Sequence, residues 1–108
     1  MMEDYIQISM TTESLEDAEK IARSLLEKRL TGCVQIVGPI TSIYWWNGNI
    51  ENSQEWLCLV KSREDLYKKL EKAIKQIHPY QTPEIVATPI VTGSIEYLKW
   101  LSDELEEK

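Results

Sequence analysis

Few side chains in this sequence could carry chemistry, and His78 comes first because it is the only histidine. Its neutral imidazole ring could bind Cu(II) or another borderline metal ion. Glu84 follows shortly after in the sequence and could supply a carboxylate ligand. Cys33 comes directly after a glycine and could supply a soft thiolate ligand. These three residues are the candidate metal ligands.

Each candidate also has a purely structural interpretation. His78 could close a helix by binding its free carbonyl groups, and Glu84 could pair with a lysine of a neighbouring subunit. A cysteine without a nearby partner is commonly a small buried hydrophobe, and Cys58, between Leu57 and Leu59, is typical of that kind. The sequence has no second histidine and no Cys-x-x-Cys pair to favour a dedicated metal site.

Catalytic patterns are missing from the sequence. No serine or cysteine stands at a recognisable motif spacing from His78, and no glycine-rich loop could cradle a phosphate. We therefore expect a protein that is not an enzyme and has no organic cofactor. Copper or another divalent metal is the cofactor that the candidate ligands would suit.

The composition indicates one ordinary globular domain over residues 1–108, with 43% hydrophobic residues. The net charge of −6 argues against binding to nucleic acid or to an anionic membrane. Neither a signal peptide nor a membrane-spanning run is recognisable. Two cysteines without motif spacing fit a reducing compartment, so we expect a cytoplasmic protein.

A long β-hairpin is predicted over residues 34–61, with its turn at Asn47-Gly48, where positive φ angles are tolerated. Gly38-Pro39 interrupts the first strand and indicates a bulge, a bend or an edge position. We expect the strand to bend there and to change partners. The return run Trp56–Val60 is apolar at every position, which predicts a central strand covered on both faces.

The predicted hairpin is too long for one small domain to cover. Its first strand would span roughly 40 Å, whereas a chain of this size has a radius of gyration near 13 Å. The hairpin end carries Tyr44, Trp45 and Trp46, which would form an aggregation-prone surface if left bare. We therefore expect a homo-oligomer in which another subunit covers this end.

The aromatic residues suit subunit interfaces, because each combines a broad apolar face with a polar tip. The predicted interface residues are Trp45, Trp46, Trp56 and Trp100. Any small ligand is expected in a cleft between subunits, for which the candidate lining residues are Lys61, His78, Tyr80, Glu84, Tyr44 and Trp46.

Hydrophobic periodicity predicts the element order β-α-β-β-α-β followed by a C-terminal helix. This order is typical of the ferredoxin-like α+β fold, an antiparallel sheet with helices on one face. Ser14 and Ser62 are the predicted helix N-caps, and Gly32 is the predicted terminator of the first helix. Pro89 indicates that the last strand lies at a sheet edge or contains a bulge.

Several blocks of the sequence together resemble the CutA divalent-cation-tolerance family, and the resemblance covers nearly the whole chain. The blocks are Cys33-Val34, Ser42–Gly48, Lys61-Ser62, His78–Ile85, Pro89-Ile90, Gly93 and Tyr97–Trp100. The resemblance implies a homotrimer like that of the PII proteins, in which the hairpin and the last strand make contacts between subunits. It also implies a role in tolerance of copper and other heavy metals.

The sequence departs from the family pattern at two positions: Met10 stands where some members have a cysteine, and Gln81 where many have a glutamate. Both differences weaken the case for a tight metal site. The first functional hypothesis is therefore weak binding of copper or other divalent cations between subunits. The alternative is a PII-like sensor or scaffold that binds a protein partner or a small anionic metabolite, which Lys61 would help to hold.

Overall fold

The computed structural model describes residues 4–107, which form a four-stranded antiparallel sheet and three α-helices. The strands lie in the order β2-β3-β1-β4, which together with the element order is the predicted ferredoxin-like α+β fold. The elements are β1 (Tyr5–Thr12), α1 (Leu15–Glu27), β2 (Cys33–Trp46), β3 (Asn49–Arg63), α2 (Tyr67–Ile77), β4 (Ile85–Ile90) and α3 (Ile95–Glu104). None of these helices is long and apolar enough to cross a membrane.

The hydrophobic core lies between one face of the sheet and the helices. Alternate residues of β1 and β3 are buried there, because successive side chains of a strand point to opposite faces. The sheet contributes Ile6, Ile8, Met10, Cys58 and Val60, and the helices contribute Ile21, Leu25, Leu70, Ile74 and Leu101. On the other face, Leu57 and Leu59 remain half-buried. The prediction that the run Trp56–Val60 is covered on both faces is therefore wrong for the isolated chain.

The first helix begins at the predicted N-cap, but its C-terminal capping motif differs from the predicted one. The Ser14 side chain accepts a hydrogen bond from the Asp17 backbone N–H at 3.1 Å, which is an N-cap. At the other end Arg29 adopts φ 59°, and the N–H of Leu30 donates to the carbonyl of Leu25. This is a Schellman-type ending with arginine at the left-handed position, so Gly32 is not the terminator.

Gly32 and Ser62 have packing roles instead of the predicted capping roles. A Cβ at Gly32 would lie 2.8 Å from the Leu101 side chain, so glycine allows α3 to approach β2 closely. Ser62 lies inside β3, where its hydroxyl donates to the Leu30 carbonyl at 2.7 Å. The strand continues through Arg63, and a single 3₁₀ turn over Glu64–Leu66 precedes α2.

The β2–β3 hairpin extends beyond the helices as an arm, defined here as residues 40–55. Pairing continues from Cys33 opposite Lys61 to Trp46 opposite Asn49. The longest dimension of the molecule is 47 Å, and none of the β3 residues before Glu55 is buried. Asn47 and Gly48 both have positive φ, at 50° and 80°, as the predicted tight turn requires.

The predicted bulge lies at the base of the arm. The register of β2 against β3 shifts between Val37 and Ile40, around the cis Gly38-Pro39 peptide bond. However, β2 pairs with β3 on both sides of the bulge, so the predicted change of partner does not occur within this chain. The Trp56 indole lies directly against Gly38, where a Cβ would be 2.6 Å from Cδ1 of the ring.

Substitution of Gly38 by alanine should therefore destabilise the base of the arm. We expect Gly38→Ala to lower the free energy of unfolding by about 1–3 kcal/mol, because the added methyl group must displace a large, half-buried ring. Thermal unfolding at one fixed protein concentration would measure the effect. Gly93→Ala is the matched control, since a Cβ there makes ordinary contacts of 3.4 Å with Leu98. Equal shifts in the two variants would contradict the packing argument.

Candidate functional site

The main candidate site is a cleft of about 730 Å³ between the arm and the segment that follows α2. Residues from β1, the arm and residues 80–84 meet there, so the cleft exists only in the folded chain. The lining residues are Thr11, Glu13, Ser42, Ile43, Tyr44, Trp46, Glu51, Ser53, Gln54, Glu55, Tyr80, Gln81, Thr82 and Glu84. The structure thus brings together four of the predicted residues: Tyr44, Trp46, Tyr80 and Glu84.

The arm provides one wall of the cleft. Glu51, Ser53 and Glu55 alternate along β3, so their side chains share one face of the arm. Tyr44 is paired with Glu51 across the ladder, and its hydroxyl lies 3.2 Å from the Ser53 Oγ. This wall is therefore polar and carries two carboxylates.

The segment after α2 provides the opposite wall. Prolines 79 and 83 prevent a continuing helix, so this short segment crosses to the start of β4 as irregular chain. Tyr80 donates a hydrogen bond from its hydroxyl to Oε2 of Glu55 at 2.8 Å. Burial raises the pKa of Tyr80 well above its usual range, and the neighbouring Glu55 raises it further. The tyrosine therefore remains a protonated donor at neutral pH.

His78 lies behind this wall and is only 7% exposed. Its Nδ1 accepts a hydrogen bond from the Tyr80 backbone N–H at 3.1 Å, so the ring proton belongs on Nε2. Nε2 lies 2.8 Å from the Thr11 carbonyl oxygen and donates to it. Both ring nitrogens are engaged, and a metal ion could bind His78 only by displacing one of these partners.

Cys33 and Lys61 lie away from the cleft, at the other end of the paired strands. They are opposite each other in the ladder, and Lys61 is separated from Glu55 by roughly 20 Å of extended strand. The Lys61 ammonium group donates to the Gln35 side chain. Cys33 is half-buried beside Tyr97, whose pKa is raised by burial and then by this cysteine. The predicted grouping of Lys61 with Tyr80 and Glu84 is therefore not present within one chain.

The four tryptophans have different environments in the single chain. Trp45 is 71% exposed and Trp46 is 55% exposed at the end of the arm. Trp100 is 43% exposed on α3 and contacts Tyr97, with ring centroids 5.6 Å apart. Trp56 instead packs against the core at the bulge. Three of the four predicted interface residues are thus available to a second subunit.

Among the residues that the structure describes, carboxylates are the only charged groups that line the cleft. They are Glu13, Glu51, Glu55 and Glu84, and within the described residues 4–107 no lysine or arginine joins them. The sequence reasoning selected Glu84 alone. The spacing of Glu51 and Glu55 in a predicted strand was the signal that places two carboxylates on one face. Across the same described range, no three histidine, cysteine, aspartate or glutamate side chains converge closely enough to hold a metal ion.

Comparison with known proteins identifies the family of this fold and cleft. The family model for "CutA1 divalent ion tolerance protein" matches residues 6–104. The chain belongs to the CutA1 family. The divalent-cation tolerance protein CutA of Thermus thermophilus is 46% identical over 102 residues, which cover 94% of this chain and 97% of the relative.

Solved structures of CutA1 proteins have the same fold. The crystal structure of CutA1 from Oryza sativa superposes with a TM-score of 0.95 at 35% identity, covering 97% of this chain and 96% of the rice chain. The structure of CutA from Archaeoglobus fulgidus, described as a periplasmic divalent cation tolerance protein, superposes with a TM-score of 0.92 at 42% identity. It covers 94% of this chain and 99% of the archaeal chain.

The two cysteines should differ sharply in reactivity. Cys58 is fully buried, and burial raises the pKa of its thiol from 9.0 to about 11. We expect a disulfide reagent at pH 8 to modify Cys33 rapidly and Cys58 only after denaturation, because the thiolate is the reactive form. Absorbance at completion would count one thiol per folded chain and two per unfolded chain.

Cys33→Ser should abolish the fast reaction, and Cys58→Ala should preserve it. The stabilisation from keeping Cys58 neutral is complete below pH 9 and is lost as the pH rises through about 11. Rapid modification of both cysteines in the folded protein at pH 8 would contradict the assignment.

Proposed function

We propose that this CutA1-family chain is a cytoplasmic homotrimer that binds divalent cations, copper among them, weakly at intersubunit sites to which each chain contributes the acidic cleft described above. Binding and release of the ion constitute the whole function, with no catalytic step and no organic cofactor. The observation that carries this proposal is the charge of the cleft, because every charged lining residue described is a glutamate. The names of the relatives as divalent-cation tolerance proteins point to the same ligand class.

The donor atoms of the cleft suit divalent cations. Carboxylate and hydroxyl oxygens are accepted by several divalent metals, and affinity at such a site rises from Mn²⁺ to Cu²⁺. Because no three acidic, histidine or cysteine side chains converge within the described part of one chain, tight binding by a single subunit is not expected. Water or donors from a neighbouring subunit would complete the coordination, which supports weak binding.

The alternative, a PII-like site for an anionic metabolite, has less support. An anion would need basic side chains, and Lys61 lies at the far end of the strand from the cleft. The carboxylates of Glu13, Glu51 and Glu84 would repel it. A protein partner at the same cleft remains a compatible second ligand.

A trimer is supported by the apolar surface that a single chain leaves exposed to solvent. Ile43, Trp45 and Ile50 are 64% to 71% exposed at the end of the arm. The half-buried open face of the sheet adds Leu57 and Leu59. The exposed apolar group at the end of the arm marks an interface with another chain. A closed symmetric assembly would cover it in every copy.

The cytoplasmic location is proposed from cysteine chemistry. Cys33 and Cys58 are both free thiols, and free thiols persist in reducing compartments. The archaeal relative, in contrast, is described as periplasmic.

A charge at the end of the arm should disrupt the assembly. We expect the wild-type protein to have a mass of three times the 12.6 kDa of one chain, and Trp45→Glu to shift the population toward single chains. The carboxylate would be buried without a partner in the interface, which is strongly unfavourable. Size-exclusion chromatography with light scattering would measure both masses.

Leu15→Glu is the control for that experiment, since Leu15 is 43% exposed at the start of α1 and lies outside the arm. It should retain the trimer mass. A trimeric Trp45→Glu protein, or a single-chain wild type at low concentration, would be incompatible with assembly through the arm.

Removal of one cleft carboxylate should weaken cation binding. We expect Glu84→Gln to raise the dissociation constant for Mn²⁺ and Cu²⁺ at least about 10-fold, because a charged ligand is replaced by a neutral one of the same shape. Isothermal titration calorimetry on the trimer would measure it. Glu19→Gln, an exposed glutamate of α1 outside the cleft, should leave the isotherm unchanged.

Identical isotherms for wild type and Glu84→Gln would remove the cleft as the cation site. A parallel thermal-shift panel with inorganic phosphate and carboxylate metabolites tests the alternative function, since a ligand of the folded state raises the melting temperature. Stabilisation by an anion and not by a cation would favour the sensor.

A further inference from the structure

The arm is attached to the body of the molecule, defined here as the sheet and helices outside the arm, by few contacts. β1 pairs with β3 only as far as Thr12 opposite Trp56, so within residues 4–107 the arm is a ribbon of two strands. The register of these strands shifts between Val37 and Ile40, at the base of the ribbon. A two-stranded ribbon is marginally stable by itself, and a bulge bends the strand that contains it. The inclination of the arm to the body therefore needs a further constraint.

One side-chain hydrogen bond supplies this constraint. The Tyr80 hydroxyl donates to Oε2 of Glu55 at 2.8 Å, across 25 positions of the sequence. Glu55 pairs with Ile40 as the first pair of the arm beyond the bulge, and at 8% exposed it is the only buried residue of the arm. Among the residues that the structure describes, no other side-chain hydrogen bond or ion pair joins the arm to the body.

Tyr80 is held in turn by the single histidine. Its backbone N–H donates to Nδ1 of His78 at 3.1 Å, and the two rings contact each other with their centroids 4.8 Å apart. Nε2 of His78 donates to the Thr11 carbonyl near the end of β1 at 2.8 Å. A continuous series of contacts therefore runs from β1, through His78 and Tyr80, to the base of the arm.

We infer that the Tyr80–Glu55 hydrogen bond is a latch by which the body holds the arm at a fixed inclination, ready for a second subunit. This inference rests on the proposed assembly through the arm. A segment that is already ordered in its bound orientation loses less conformational entropy when two chains associate, so the latch favours assembly. It also gives His78 a role that needs no ligand, because the histidine presents Tyr80 to the arm.

A second tyrosine–glutamate pair in the same chain provides a matched control. The Tyr67 hydroxyl donates to Oε2 of Glu71 at 3.1 Å, within α2. Its chemistry is the same, but it joins two neighbours on one helix. Loss of this bond should leave the arm and the assembly unchanged.

Hydrogen–deuterium exchange of backbone amides, measured by mass spectrometry, tests the latch directly. Tyr80→Phe removes only the hydroxyl. We expect exchange to become at least about 10-fold faster in residues 79–84 and at the base of the arm, residues 40–42 and 53–55, because a hydrogen bond to a charged group is lost. Exchange in β1 should not change, since the core around it stays intact. Tyr67→Phe should match the wild type in every segment.

A double-mutant cycle distinguishes the latch from a tyrosine that only stabilises the fold. Glu55→Met removes the acceptor and keeps the length of the side chain, so it should accelerate exchange in the same segments. Adding Tyr80→Phe should have no further effect, because the two groups act through one bond. Additive effects, faster exchange throughout β1, or wild-type exchange in Tyr80→Phe would each overturn the inference. Where Glu55→Met does not fold, Glu55→Ala takes its place in the cycle.

The effect on assembly is measured by light scattering over a dilution series at a fixed low urea concentration. Tyr80→Phe should raise the concentration at which half of the chains are assembled about 10-fold, because the arm must then be ordered on association. Tyr67→Phe should assemble as the wild type does.

The same dilution series separates failure of this inference from failure of the proposed function. If Trp45→Glu dissociates the trimer while Tyr80→Phe assembles like the wild type, only the latch is wrong. If the wild type is a single chain, or Trp45→Glu remains trimeric, assembly through the arm is itself wrong and the latch loses its role with it.

Discussion

The hydrogen-bond ladder between β2 and β3 continues further than the hydrophobic core that covers it. Backbone pairing runs without a change of partner to the turn at Asn47-Gly48, whereas buried side chains in β3 end at Glu55. Strand pairing satisfies the backbone N–H and C=O groups but buries few side chains. The arm is therefore a regular hairpin whose side chains remain exposed to solvent. The cleft and the exposed aromatic end of the arm both depend on this difference in length between the ladder and the core. The exposed end is in turn what supports oligomerisation.

Polarity of the cleft follows from the same arrangement. Where β3 lies under the helices, one of its faces is filled by Cys58 and Val60. Glu51 and Glu55 lie on the opposite face of β3, the face of the half-buried Leu57 and Leu59, which the described helices do not cover, so the strand can carry carboxylates there. The arm then lies beside the segment after α2, and the Tyr80 hydroxyl satisfies the one carboxylate that becomes buried. An acidic pocket is thus built without an unpaired buried charge.

Much of the fold could be predicted from local pattern. Ser14 caps α1, the turn at Asn47-Gly48 has the required φ angles, and Pro89 lies in an edge strand, all as expected. The errors came where a distant contact outweighed a local preference. Ser62 has the chemistry of a helix cap but is held in β3 by the Leu30 carbonyl. The helix ending at Arg29 is stabilised by backbone bonds that make glycine unnecessary there.

The sequence by itself determined most of the secondary structure, the length of the hairpin and the family, because these depend on side-chain periodicity, turn chemistry and short motifs. It also identified Tyr80 and Glu84 as cleft residues. Only the tertiary structure decided that Glu55 meets Tyr80, that His78 has both nitrogens occupied, and that Lys61 lies elsewhere. Those facts depend on the register and direction of strands far apart in sequence, and no local pattern encodes a distance between them.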